Sequence, residues 1–199
     1  MDKPIAPRPT PQAVTDYLLQ WEKLPNYPEQ EAAPSLLFHQ TYPSNKALSE
    51  VLIKCAALND FYGTNIFSVC PLAAHITSLD MDARLAAGDP ALVHDIASGH
   101  GIVSKSGKEL CFFSFATKYC SHHNEHAFPI FDSYVEKVLL HYRNADRFTA
   151  FRNNELRNFP TFKRVILDFQ QAYQLDAFSL KQIDKYLWLL GKKLFPKRF

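Results

Sequence analysis

Six glycines in 199 residues are too few for a loop-rich all-β domain, whose tight turns need residues that tolerate a positive φ. No apolar run approaches ~20 residues, the length a membrane-crossing helix requires. The opening, MDKPIAPRPTP, lacks the apolar centre of a secretory signal. Cysteine is scarce as well. Cys55, Cys70, Cys111 and Cys120 show no C-x-x-C spacing, which reads as buried thiols in a reducing, cytoplasmic setting rather than a disulfide framework. A phosphate-cradling P-loop, a G-x-S-x-G elbow and an H-E-x-x-H pair are all missing, which sets aside the chemistries those motifs carry.

What is there is apolar and helical. Hydrophobic residues make up 47% of the chain, sixteen of them phenylalanine, which argues against disorder and for a substantial core. Apolar residues recur at helical spacing, with no period-2 strand and no internal repeat, so the expected fold is all-α with nine or ten helices. Residues 1–43 hold eight of the thirteen prolines and read as a leader with one or two helices packed on the body. Residues 44–199 read as a single all-α domain. Thr10 with Pro11, Ser44, Asp80, Asp89 and Ser179 stand where helices should start, and Pro71 and Pro160 should open two more.

The chain is organised around Cys111–Val135, CFFSFATKYCSHHNEHAFPIFDSYV. A helix from Ser106 to about His123 carries Phe112, Phe115, Ala116 and Tyr119 on one side and a polar stripe of Ser114, Lys118, Ser121 and Glu125 on the other. Asn124 and Pro129 end it. Asp132 then caps Ser133–Asn144, whose Val135, Val138, Leu139 and Tyr142 form an apolar stripe. Ahead of the central helix lies the most glycine-rich segment, SGHGIVSKSGK at 98–108.

Charge is asymmetric. Residues 1–136 carry nine Lys/Arg against fifteen Asp/Glu, and 137–199 carry thirteen against five. A basic C-terminal third is a candidate face for a polyanion, with an ordinary solvated surface as the plain alternative.

Several side chains have chemistry to offer. Asp132 is a helix cap by position, and a carboxylate held between Phe131 and Tyr134 can also act as a base or stabilise a cationic transition state. Lys118 is solvated by default, and becomes nucleophilic where its stripe faces a pocket. Gly99, Gly101, Ser104, Lys105 and Lys108 offer backbone amides and cations to phosphate. Asn59, Tyr62 and Asn65 sit among aromatics before Gly63, where the asparagines either cap helix ends or line a pocket. Cys120, His122, His123 and His126 lack a second ligand pair, so neither a metal nor any cofactor is expected.

A glycine-containing turn, a buried helix, a short loop, then Pro129-Ile130-Phe131-Asp132 opening a helix: this order resembles the helix-hairpin-helix DNA glycosylases. The likeness covers about forty residues closely. One residue more than the family's Pro-Val-Asp separates Pro129 from Asp132, and Lys108 and Lys118 flank the position where lysine-dependent members carry their nucleophile. The resemblance implies a base excised from DNA by hydrolysis of the N-glycosidic bond, with Asp132 the essential carboxylate. Asn59, Tyr62, Asn65, Tyr119, His122 and Phe131 would line the base pocket, and Lys118 or Lys108 would serve a lysine mechanism, monofunctional hydrolysis being the expected one. The implied partner is DNA, bound by a monomer away from membranes. The substrate would be a damaged base in the host genome or a modified base in foreign DNA. Two other classes compete: a non-catalytic nucleic-acid-binding module in which Asp132 only caps, and a helical protein-interaction domain whose basic face meets an acidic partner.

Overall fold

A computed structural model describes residues 6–196. Ten α-helices run through them: α1 Pro11–Trp21, α2 Tyr27–Leu36, α3 Leu48–Phe61, α4 Val69–Ser78, α5 Asp82–Ala87, α6 Leu92–Ala97, α7 Phe113–His123, α8 Ser133–Asp146, α9 Phe159–Ala172 and α10 Leu180–Leu194. Among the described residues there is no strand, only one antiparallel bridge between Val103 and Glu109. No helix among them is long and apolar enough to cross a membrane. The all-α expectation holds.

The chain divides into two compact units, Met1–Pro28 with Phe131–Phe199, and Glu29–Ile130. In the first, α10 packs on both α1 and α8. Helix α1, expected to pack on the body, lies directly on α10. Tyr17 lies edge-on to Tyr186 at 5.3 Å, and Trp21 edge-on to Trp188 at 5.7 Å. By contacts α1 groups with the C-terminal helices, while Glu29–Ile130 forms a unit of its own. Gly191 sets the α8–α10 spacing. A Cβ there would stand 2.6 Å from the Cβ of Tyr134 and 2.9 Å from its carbonyl oxygen, so only glycine lets the two backbones come so close.

The second unit is built on α7. Nine of its eleven residues are buried, from Phe113 and from Phe115 through His122. It packs against α6, α3 and α5, while α3 and α4 lie side by side. Residues 37–41 continue α2 as a wider π-type turn, from which Phe38 inserts against Tyr119 at 5.3 Å.

Local chemistry explains most boundaries. Thr10, Asp132, Asn158 and Ser179 each accept a hydrogen bond from a first-turn amide, and Ser179 forms a reciprocal capping box with Gln182. Four starts differ from expectation. Ser44 does not cap α3, which begins at Leu48; its hydroxyl donates to Asp82 Oδ2 at 3.2 Å. Neither Asp80 nor Asp89 is the N-cap of a helix: α5 and α6 follow Met81 and Ala91, and Asp89 pairs with Arg84 at 2.7 Å. The central helix begins at Phe113 rather than Ser106. Residues 102–110 fold back on themselves, with the Leu110 amide donating to Ile102 O and the Ser104 amide to Lys108 O. The backbone donors that would have opened a helix are spent on that small ladder.

Candidate functional site

The connection from α6 to α7 is a glycine-assisted hairpin. Gly99 and Gly101 take φ of +83° and +72°, values that a side chain disfavours. Its base is tied where the Phe112 amide donates to Ala97 O at 2.9 Å. His100 is buried inside the turn. Its Nδ1 accepts from the Ile102 amide at 3.1 Å, so Nε2 carries the proton and donates to Ala97 O at 3.2 Å. Lys105 and Lys108 are exposed at the tip, beside a Ser104–Ser106 hydroxyl contact of 2.9 Å. The Gly101 amide is occupied: it donates to Glu109 Oε1 at 3.1 Å.

The polar stripe of α7 is not solvated. Lys118 is 2% exposed and Ser121 is buried. Lys118 Nζ lies 2.6 Å from Ser114 Oγ, one turn back on the same face, and 5.2 Å above the ring of Tyr62. Tyr62 Oη meets His122 Nε2 at 2.9 Å. Three of the residues singled out for chemistry, Lys118, Tyr62 and His122, thus converge beside Ser114. A buried lysine is costly to keep, so its presence marks a functional candidate.

Tyr119 belongs to a different cluster, on another face of α7. Its hydroxyl donates to Asn45 Oδ1 at 2.5 Å. The same oxygen accepts from Lys54 Nζ at 2.6 Å, and Lys54, with no exposed surface, also donates to the carbonyls of Ser44 at 2.9 Å and Tyr42 at 3.1 Å. His123 Nε2 lies 3.4 Å from that ammonium and 3.2 Å from Asn45 Oδ1. On the far side of Asn45, its Nδ2 donates to Asp82 Oδ1 at 2.7 Å. Burial pushes the Lys54 amine down to about 8, against the pull of Asp82. Burial, reinforced by the Lys54 charge, pushes His123 down to about 3, so its ring is neutral. Burial opposes ionisation of Asp82, but hydrogen bonds from Asn45 and Ser44 outweigh it and hold the carboxyl below its usual range. Tyr119 Oη, Lys54 Nζ, Asn45 Oδ1 and Nδ2 and His123 Nε2 all have partners, which is the signature of a structural hub.

The remaining candidates fall elsewhere. Asn59 accepts from the Ile66 amide at 2.8 Å and from Thr64 Oγ1 at 2.7 Å, and returns a bond to Ile66 O at 3.1 Å, closing the 62–66 loop. Asn65, at φ +57°, is exposed and donates to Gly63 O. Both do turn work. Phe131 lies in the first unit, buried edge-on against Phe162 at 5.4 Å with the Arg157 guanidinium 4.8 Å from its ring centre. Asp132 caps α8 through Oδ1, which accepts from the Tyr134 amide at 2.8 Å, and it is only half-buried. No described residue donates to its Oδ2, so one oxygen is spent on the helix and the other is available.

Sequence reasoning passed over Lys54, Asn45, Asp82 and Glu109. The signal for Lys54 was in plain sight: Val51, Lys54, Cys55 and Leu58 are all buried, so the lysine stands on the core stripe of α3. Nothing comparable flagged Glu109, whose role depends on a backbone turn.

A family model described as the HI_0787_N N-terminal domain matches residues 13–127, more than half of the chain, and the protein belongs to that family. It is also 51% identical over 140 residues to an uncharacterized protein of Haemophilus influenzae. The match covers 70% of this chain and 65% of that protein, so the chain spans less than two thirds of its relative's length. No solved structure matches.

Proposed function

We propose that this member of the HI_0787_N family is a DNA glycosylase that releases a damaged or modified base, with Asp132 as its essential carboxylate. The observation that carries the reading is the chain order α6, glycine hairpin, buried α7, then Asp132 at the mouth of α8 with one oxygen uncommitted. In this reading the carboxylate offsets positive charge developing on the sugar as the bond from C1′ to the base nitrogen breaks. The bonding pair leaves with the base, which takes up a proton, and water adds at C1′ after losing one. The target base must leave the stack to be reached, so a polar and aromatic pocket is needed. Tyr62 and His122, whose Oη and Nε2 lie 2.9 Å apart, are the candidates for its lining. The basic residues of 137–199 would hold flanking phosphates.

A second reading of the attack is favoured by one observation, the burial of Lys118 against Ser114 and Tyr62. A lysine amine that attacks C1′ in place of water displaces the base with the bonding pair and loses a proton; opening of the C1′–O4′ bond then gives a covalent imine, and loss of a C2′ proton expels the 3′-phosphate and breaks the strand. Base release on a panel of DNAs bearing deaminated, alkylated, oxidised and hypermodified bases tests both. Release by wild type and none by Asp132→Asn is the expected result, because asparagine still caps the helix. Strand cleavage, with a borohydride-trapped adduct lost in Lys118→Met, selects the amine over water. DNA binding with no release from any substrate would replace the enzyme by a binding module.

A further inference from the structure

We propose that Glu109 is a resident anion in the α6–α7 hairpin, holding the Gly101 amide until a DNA backbone phosphate displaces it. The inference rests on the reading that the hairpin meets DNA, and adds an internal competitor that sets how tightly it does so.

The Gly101 amide donates to a carboxylate, Glu109 Oε1, at 3.1 Å, whereas its neighbours end on neutral acceptors. The Ile102 amide donates to His100 Nδ1, and the Ser104 amide to Lys108 O. The carboxylate has no cation of its own. His100 Nδ1, 3.9 Å away, already accepts from Ile102 and carries no proton to share, and no lysine or arginine among the described residues pairs with Glu109. On the same hairpin Lys105 and Lys108 are exposed and form no ion pair among the described residues. One anion thus sits on an amide without a counter-charge, while two cations of the same turn stand without an anion. A phosphodiester, with one charge spread over two oxygens, can satisfy the amide and a lysine together.

The plain alternative is that Glu109 stitches the hairpin shut. That stitch is redundant for register. The Val103–Glu109 bridge and the bonds from Leu110 to Ile102 and from Ser104 to Lys108 already fix it. The Glu109 side chain is 41% exposed, so swinging out costs little burial.

The test measures anisotropy of a labelled DNA duplex with the full chain as wild type, Glu109→Ala, Glu109→Gln and, as a charge-matched control, Glu125→Ala. Glutamine loses the charge but keeps an oxygen for the Gly101 amide. Glu109→Ala should bind about fivefold tighter than Glu125→Ala, the worth of one freed amide, while Glu109→Gln stays within about twofold of that control. Equal tightening in all three variants would reduce the effect to net charge and overturn the proposal. Weaker binding by Glu109→Ala would make the carboxylate a stitch, with the same consequence. The Gly101 amide resonance of Glu109→Ala, titrated with inorganic phosphate, supplies a readout without DNA. Its movement supports the competitor and its constancy overturns it. If wild type and variants bind no DNA yet that resonance moves, the anion site stands and the DNA reading falls.

Discussion

Replacing Lys54 with methionine should change how stability depends on pH, and in one direction only. The amine is wholly buried, and its affinity for a proton drops from that of a free lysine to about 8. Between that value and about 10.5 the unfolded chain binds a proton that the folded chain does not, so the wild type gains stability as pH rises through this window. Below it both states are protonated and the contribution is flat. Two and a half units correspond to roughly 3 kcal/mol over the full window, and to about 2 kcal/mol by pH 9.5. Methionine fills similar space without a proton to bind, so the difference between wild type and Lys54→Met isolates the effect from Tyr119 and Cys120, which titrate in both. Urea midpoints at pH 7.5, 8.5 and 9.5 read it directly. With a slope of about 2 kcal/mol per molar, the difference should move by about 1 M in favour of the wild type. A flat or falling difference would refute the account of Lys54 as a desolvated ammonium. The absolute offset at pH 7.5 matters less, because lost desolvation cost and orphaned carbonyls of Tyr42 and Ser44 oppose each other.

His123 should show the same sign at the acid end. Its proton affinity falls from 6.5 to about 3, so the unfolded state binds the proton first and stability drops as pH decreases from 6.5; relative to His123→Gln, the wild type should lose about 2 kcal/mol by pH 5 in chemical unfolding. Gly191→Ala gains helix propensity yet places a methyl 2.6 Å from the Tyr134 Cβ and 2.9 Å from a backbone oxygen, so a net loss of about 2 kcal/mol is expected by thermal melting, and a stabilised variant would disprove the close approach.

Helix starts were legible where a side chain does the capping: Thr10, Asp132 and Ser179 behave as their positions imply. Ser44 failed because the pull of Asp82, thirty-eight residues away, is stronger than a local cap and leaves no trace in the nearby sequence. The start of α7 was misplaced for a related reason. Residues 106–112 continue a plausible helical pattern, and only the bridge from Val103 to Glu109 reveals that their backbone bonds go elsewhere. For the candidate site, residue type was readable and environment was not. Lys118 and Tyr119 are adjacent in sequence, yet helical geometry points them into separate clusters, one with Ser114 and Tyr62 and one with Asn45 and Lys54. Asn59 and Asn65 offered a helix cap before a pocket wall, and each makes its hydrogen bonds within the loop after α3.

The discontinuity of the first unit has a consequence for the ribosome. Helix α1 leaves the ribosome well before α10, which carries its partners Tyr186 and Trp188. At ordinary elongation rates the nascent chain carries the unmatched Tyr17 and Trp21 for on the order of ten to thirty seconds. Over the same interval the contiguous segment Glu29–Ile130 leaves the exit tunnel whole, with all of its own contacts in hand. Synthesis therefore favours a nascent chain in which Glu29–Ile130 is native while α1 waits, a state that chaperones would meet as an exposed aromatic helix.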